Sequence, residues 1–290
     1  MDVRNEILKA HHSLIAGTTG SGKSVLLNSV ICEGLRQDYN FWFIDLKRVE
    51  LNQYKRTKNC LAFATEPEQA ISLLEDIIDD MDEEYERMDE RGIKETDRPH
   101  RYLVIDELAD LVSTKGVLDK IVKIGRLGRA AHIHMIGATQ DPSRYTLSAQ
   151  LMQNITCAVA LRCKTAIESR QIIGVEGAET LPKYGKGYIS TYSGVKKVDI
   201  PLTPDEEMQE VIREHTYIKP QVTAEPKVAP RETQVQYVEK AVAQQSTSDP
   251  ASTIAFAWIV IVILTLAVLA SPGLLCFLTM SAVYTLLKRR

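Results

Sequence analysis

Near the start of the chain, Gly17-Thr18-Thr19-Gly20-Ser21-Gly22-Lys23-Ser24 satisfies the pattern G-x4-G-K-[ST]. Its surroundings constrain the fold more than its spelling does. Residues 13–16 read as a short apolar strand leading in, and residues 23–37 as a helix leading out, the setting in which backbone N–H groups close around phosphate oxygens. The helix N-terminus adds partial positive charge at the same point. In that arrangement Gly17, Thr18, Thr19, Gly20, Ser21 and Gly22 form the cradle for ATP, Lys23 neutralises β/γ-phosphate charge, and Ser24 ligates Mg²⁺.

The rest of the first 200 or so residues keeps the same rhythm of short β-branched runs and longer amphipathic stretches, which predicts α/β with a mainly parallel sheet. Further strands are expected at 41–44, 102–105, 134–137, 157–161 and 187–191, and further helices at 66–90, 117–129 and 166–173. Within 66–90 the residues Ile71, Leu74, Ile78, Met81, Tyr85 and Met88 recur at three- and four-residue steps, so one stripe should pack on the sheet while the acidic faces stay solvated.

A phosphate loop needs an acidic element near the metal. Tyr102-Leu103-Val104-Ile105 ends in Asp106-Glu107, which places two carboxylates at the carboxyl edge of the sheet. Asp106 is assigned to the Mg²⁺ shell and, with the loop, to nucleotide binding; Glu107 is assigned to orienting and activating the attacking water. The strand from His134 leads to Thr139-Gln140, where the Gln140 amide can sense the γ-phosphate or place water, or simply cap a loop. Arg126 and Arg129 close the helix before that strand. One of them, Arg129 first, could reach a neighbouring subunit's γ-phosphate; the competing reading is a pair favoured by the helix macrodipole. His132 and His134 share a strand face with no third ligand nearby, so no metal site is expected there.

Composition limits the partners. Over 290 residues the formal charge is −3, with 44% hydrophobic and 25% charged residues. These values exclude collagen-like, wholly disordered and coiled-coil chains and supply no global field for nucleic acid, so any DNA contact is local. Lys183, Lys186, Lys196 and Lys197 are the best local basic groups, against a reading as scattered surface lysines. The cysteines Cys32, Cys60, Cys157, Cys163 and Cys276 form no CxxC pair, which fits a reducing cytoplasm without zinc or disulfides. Cys157 and Cys163 could share a strand face as small buried hydrophobes. Met1 begins a polar segment, so no cleavable signal peptide is expected.

From 219 to 250, Pro220, Pro226, Pro230 and Pro250 punctuate a stretch without an apolar period, a flexible linker. Residues 254–287 then carry no charged side chain. Eighteen apolar residues suffice to span a bilayer, and Ser271-Pro272-Gly273 suits a turn, so 251–290 is expected to be a transmembrane helical hairpin with helices at about 253–270 and 274–287. Lys288-Arg289-Arg290 puts both ends in the cytoplasm, making a multi-pass cell-membrane protein with its ATPase domain, 1–218, on the cytoplasmic side.

Taken together, Leu14 to Ser24, Phe43-Ile44-Asp45-Leu46-Lys47 with Val49-Glu50-Leu51, Val104 to Leu111, Gly128 to His134, Ala138 to Ser143, Ser169-Arg170 and Gly177-Ala178-Glu179 resemble the motor core of the FtsK/SpoIIIE DNA translocases over roughly residues 3–215. The resemblance implies a RecA-like fold, ATP-driven movement of double-stranded DNA through a ring, usually a hexamer, and ATP at the subunit interfaces. Several features depart from the family pattern. The subdomain that precedes the motor and the winged-helix DNA reader are expected to be missing, the membrane segment follows the motor, and Asp141 stands where the family commonly has arginine. These departures point to a compact phage or mobile-element type. A conjugative coupling or DNA-packaging ATPase and a membrane-tethered nucleotide-switch scaffold are the alternatives.

Overall fold

Side-chain alternation builds a sheet that is covered on both faces. In β1 (His12–Ala16), Leu14 and Ala16 enter one core layer and Ile15 the other. In β4 (Arg101–Ile105), Leu103 and Ile105 divide from Tyr102 and Val104 in the same way. Strands apolar on both faces require helices on both faces, which is the condition for a parallel sheet.

The structure, a computed structural model, describes residues 2–143 and 145–216. Among them, eight strands form one sheet in the order β3-β2-β4-β5-β1-β6-β7-β8. The others are β2 (Asn40–Ile44), β3 (Cys60–Ala64), β5 (Ile133–Thr139), β6 (Cys157–Ala160), β7 (Lys186–Thr191) and β8 (Gly194–Asp199). Every pairing from β3 to β6 is parallel, and β7 and β8 join antiparallel at one side. One face is covered by α1 (Val3–Lys9), α2 (Lys23–Arg36) and α8 (Asp205–His215). The other is covered by α3 (Pro67–Arg91), α4 (Leu108–Val112), α5 (Val117–Leu127), α6 (Ala149–Met152) and α7 (Ala166–Ile173).

The expected α/β class with a mainly parallel sheet is therefore present, and each strand and helix predicted within the first 200 or so residues has a counterpart. The sequence reading did not anticipate α1, β3, α4, α6, β8 or α8. Both edge strands, β3 and β8, are only partly buried; β8 lacks a strong apolar signature, whereas β3 is an apolar run without β-branched residues.

Four local expectations need correction. The fully buried stripe of α3 runs through Ala70, Leu73, Leu74, Ile77, Met81, Glu84 and Met88, while Ile71, Ile78 and Tyr85 of the expected stripe lie at its margin, partly buried and packed against the same core. Glu84 can occupy it because Thr96 donates to it at 2.5 Å and Arg98 and Arg87 lie at 3.1 and 2.9 Å. Burial pushes its pKa up, yet those donors outweigh burial and hold it below the ordinary value. Secondly, Cys157 and Cys163 belong to opposite core layers. Thirdly, His132 is in the turn before β5 with φ 51°, off the strand face of His134, and the ring that joins the two is His100. Among the described residues no cluster of three or more His, Cys, Asp or Glu side chains is arranged to hold a metal ion. Lastly, α5 ends at Leu127 with Gly128 as its cap, so Arg129 lies in the following turn.

The linker expected at 219–250 and the apolar helices expected at about 253–270 and 274–287 lie outside the described residues. Among the described residues no helix is long and apolar enough to cross a membrane.

Candidate nucleotide-binding and hydrolysis site

The phosphate loop occupies the turn between β1 and α2. Gly22 caps α2 at φ 99°, a backbone conformation that costs residues with a Cβ and that lets the loop close directly onto the helix. The end of β5 and the segment after β6 anchor the loop. The N–H of Gly17 donates to the Thr139 carbonyl at 3.3 Å, and that of Thr18 to the Arg162 carbonyl at 2.9 Å. Ser21 is buried, and its Oγ has no hydrogen-bond partner. A buried hydroxyl left unmatched inside a loop of N–H groups suits a polar ligand.

Lys23 is buried at the head of α2. Burial lowers its pKa, while Glu107 and Asp106 pull it upward. The same strand order brings in the carboxylates, since β5 stands between β1 and β4. Asp106 leaves β4 with its N–H on the Ile44 carbonyl, and its pKa is pushed up to about 6 by burial and by Asp45, Glu50 and Glu107, against the pull of Lys23.

Glu107 is buried at the start of α4 and held by β5. Thr139 Oγ1 donates to its Oε1 at 2.7 Å, and the Gln140 N–H donates to Oε1 and Oε2 at 3.1 and 3.2 Å. Gly137 in β5 lets α4 approach, because a Cβ there would sit 2.5 Å from Leu108 Cδ1. The Gln140 side chain in turn accepts from Thr19 Oγ1 at 2.5 Å. The predicted Lys23, Asp106, Glu107 and Gln140 thus converge with the phosphate loop, and Ser24 sits in the first turn of α2.

Arg126 and Arg129 do not join them. Both are exposed and precede β5, at the amino edge of the sheet, opposite the edge from which the phosphate loop emerges.

Sequence reasoning missed three contributors. Thr139 orients Glu107. Lys47, whose only signal was the Asp45-Leu46-Lys47 string, reaches Glu107 Oε2 at 3.6 Å and Asp110 at 3.1 Å. Lys183, grouped with the DNA candidates, instead lies beside the phosphate loop, its Cε 3.7 Å from where a Cβ on Gly20 would be. Lys186 pairs with Asp199, and Lys197 lies over the Tyr188 ring at 5.9 Å.

Residues 3–104 match the model of the FtsK/SpoIIIE family. The chain is 30% identical over 256 residues to DNA translocase SpoIIIE of Bacillus subtilis, covering 79% of this chain and 32% of that protein. It is 34% identical over 202 residues to DNA translocase FtsK of Lactococcus lactis subsp. cremoris, covering 61% and 27%. The core belongs to the FtsK/SpoIIIE family. With that membership comes its enzyme class, a P-loop ATPase. The chain spans about a third of the length of these curated relatives.

Solved structures agree on the α/β fold with a mainly parallel sheet. The pCW3 conjugation coupling protein TcpA, in a monomer form with ATPγS, superposes with TM-score 0.64 at 22% identity over 72% of this chain and 66% of its own. The cytoplasmic domain of the type VII secretion ATPase EccC from Thermomonospora curvata gives 0.58 at 24% identity over 72% and 28%.

Proposed function

We propose that this chain is an ATP-driven motor, anchored to a membrane by its carboxyl-terminal segment, that moves or delivers double-stranded DNA as a ring of subunits, in the form of a hexamer. The observation that carries the reading is the convergence of Lys23, Asp106, Glu107 and Gln140 on one phosphate loop in a family whose named relatives are DNA translocases.

Each residue has a separate task. The loop N–H groups and the Lys23 ammonium bind the phosphates, and Glu107 takes a proton from the water whose oxygen bonds to the γ-phosphorus as the bond to the β-phosphate oxygen breaks. Thr139 and the Gln140 N–H keep Glu107 aimed, and the Gln140 side chain links it to the loop. Ser24 and Asp106 would hold Mg²⁺, whose charge offsets that of the phosphates. The site fits a divalent cation, since Asp106 is crowded by acids and the buried Asp45 Oδ1 has no hydrogen-bond partner.

Membrane anchoring draws support from the uncharged residues 254–287 and the basic end Lys288-Arg289-Arg290. The ring draws support from Arg126 and Arg129, which are exposed at the edge away from their own phosphate loop and so free to serve a neighbour's. ATP places the motor domain in the cytoplasm.

ATP turnover of the full chain, measured with and without duplex DNA across a salt series, tests the reading. DNA should stimulate turnover at low salt and lose its effect as salt rises, because returning counterions compete with each phosphate contact. Turnover indifferent to DNA at every salt concentration would displace the motor reading in favour of a nucleotide-switch scaffold.

A further inference from the structure

The strand order gives the candidate nucleotide site a direction. The phosphate loop leaves β1, and the hydrolytic Glu107 and Gln140 follow β4 and β5 on one side of it. On the other side stand β6 and β7, and the segment that runs into β7 carries Lys183 and Tyr184. A triphosphate whose γ end meets Glu107 and Gln140 therefore extends its remaining end toward Lys183 and Tyr184.

These two residues are arranged as a continuous ledge. Gly20, at the tip of the loop with φ 73°, faces the stem of Lys183, with Cε 3.7 Å from the Cβ position. The Lys183 ammonium lies 4.9 Å from the centroid of the Tyr184 ring, a cation–π contact that fixes the two side chains together. Tyr184 is 61% exposed, so much of its ring stays open to a ligand beyond the Lys183 contact. Gly185, at φ 77°, turns the chain into β7 directly after it. Aromatic faces beside a phosphate loop suit a planar base, since stacking buries apolar area without demanding hydrogen bonds.

We propose that Lys183 and Tyr184 bind the nucleoside end of the nucleotide, with the Tyr184 ring against the base and the Lys183 stem as the spacer between ring and phosphate loop. This assignment rests on the reading of the site as an ATP site and gives Lys183 a role at the nucleotide in place of DNA.

Calorimetric titration of the full chain with Mg-ATP and, separately, with inorganic tripolyphosphate separates the two ends of the ligand. Tyr184→Ala should weaken ATP binding about tenfold and leave tripolyphosphate binding unchanged, while Tyr184→Phe behaves as wild type. Lys183→Ala should weaken ATP several-fold, again without effect on tripolyphosphate, and Lys183→Met, which keeps the stem, should recover most of the loss. Equal weakening of both ligands would make Lys183 a phosphate contact and overturn the assignment. Unchanged ATP binding in Tyr184→Ala and Lys183→Ala would also overturn it, as would a smaller salt slope for DNA binding in Lys183→Ala with ATP affinity intact. Lys23→Ala in the same series locates any failure: if it abolishes ATP binding while the ledge variants do nothing, only the ledge is lost. If the wild type binds no ATP, the ATPase reading falls with it.

Discussion

Lys23 and Glu107 are buried within one cluster of charge, yet they act at different stages. In the proposed mechanism Lys23 compensates phosphate charge already present in the bound nucleotide, whereas Glu107 acts on water mainly as the transition state forms. Lys23→Ala should therefore lose ATP binding. Glu107→Gln should keep it, with turnover reduced by about a hundredfold or more, as for removal of a general base. Equilibrium binding and steady-state hydrolysis on both variants check this, and undiminished hydrolysis in Glu107→Gln would remove that residue from catalysis. The identities of Lys23, Asp106, Glu107 and Gln140 were legible because each lies in a short string with a local signature. Thr139 was not, because its hydroxyl matters only once β4 and β5 pair. The position of Lys183 was not legible for the same reason, since no local pattern says that the segment before β7 returns to the loop after β1.

At the scale of elements, the amino edge of the sheet carries a layer of histidines that the motif reading did not absorb. His12 Nδ1 accepts from the Met135 N–H at 3.1 Å, and His134 lies between the His11 carbonyl and His100 Nδ1, at 3.1 and 2.7 Å. Burial is the main cause that lowers His12 to about 4 and His134 to about 3, with charge on neighbouring histidines adding to it. Both are therefore neutral in the folded chain at pH 7 and protonate near 6.5 only when it unfolds. Their stabilising effect is full above pH 6.5 and is lost as pH falls through 6.5 toward those lowered values. Between pH 6.5 and 5 the loss should reach about 2 kcal/mol per histidine. Denaturant titrations at pH 7 and pH 5 measure it, and a His134→Gln protein should show the shallower pH dependence. An identical dependence in that variant would mean that His134 does not titrate as described. Sequence periodicity found α3 but turned its stripe, because Glu84 looks solvated until Thr96 and Arg98 are brought to it from outside the helix. The edge strand β8 was missed because it carries no strong apolar pattern, and β3 because its short apolar run, Cys60 to Ala64, has no β-branched residue to mark it as a strand.

On the scale of the whole molecule, the family core and its α/β class were legible from strings spread over some 200 residues, whereas assembly rests on two exposed arginines. If Arg129 serves a neighbouring subunit, Arg129→Ala and Lys23→Ala damage different partners at an interface, and mixed rings contain some intact pairs. Each variant should be inactive alone, and mixtures should recover part of the ATPase activity at intermediate ratios. Linear dilution with no recovery at any ratio counts against a trans arginine. Within a single subunit, Gln140 makes a shorter-range connection. Its amide oxygen is tied to Thr19 in the phosphate loop, and its backbone N–H to the carboxylate that works on water. One residue thus spans the distance between sensing and firing, so a shift in the loop cannot leave the base unmoved. In the proposed motor, which must not discharge early, occupancy and readiness would become one event in time, with no relay between them to slip.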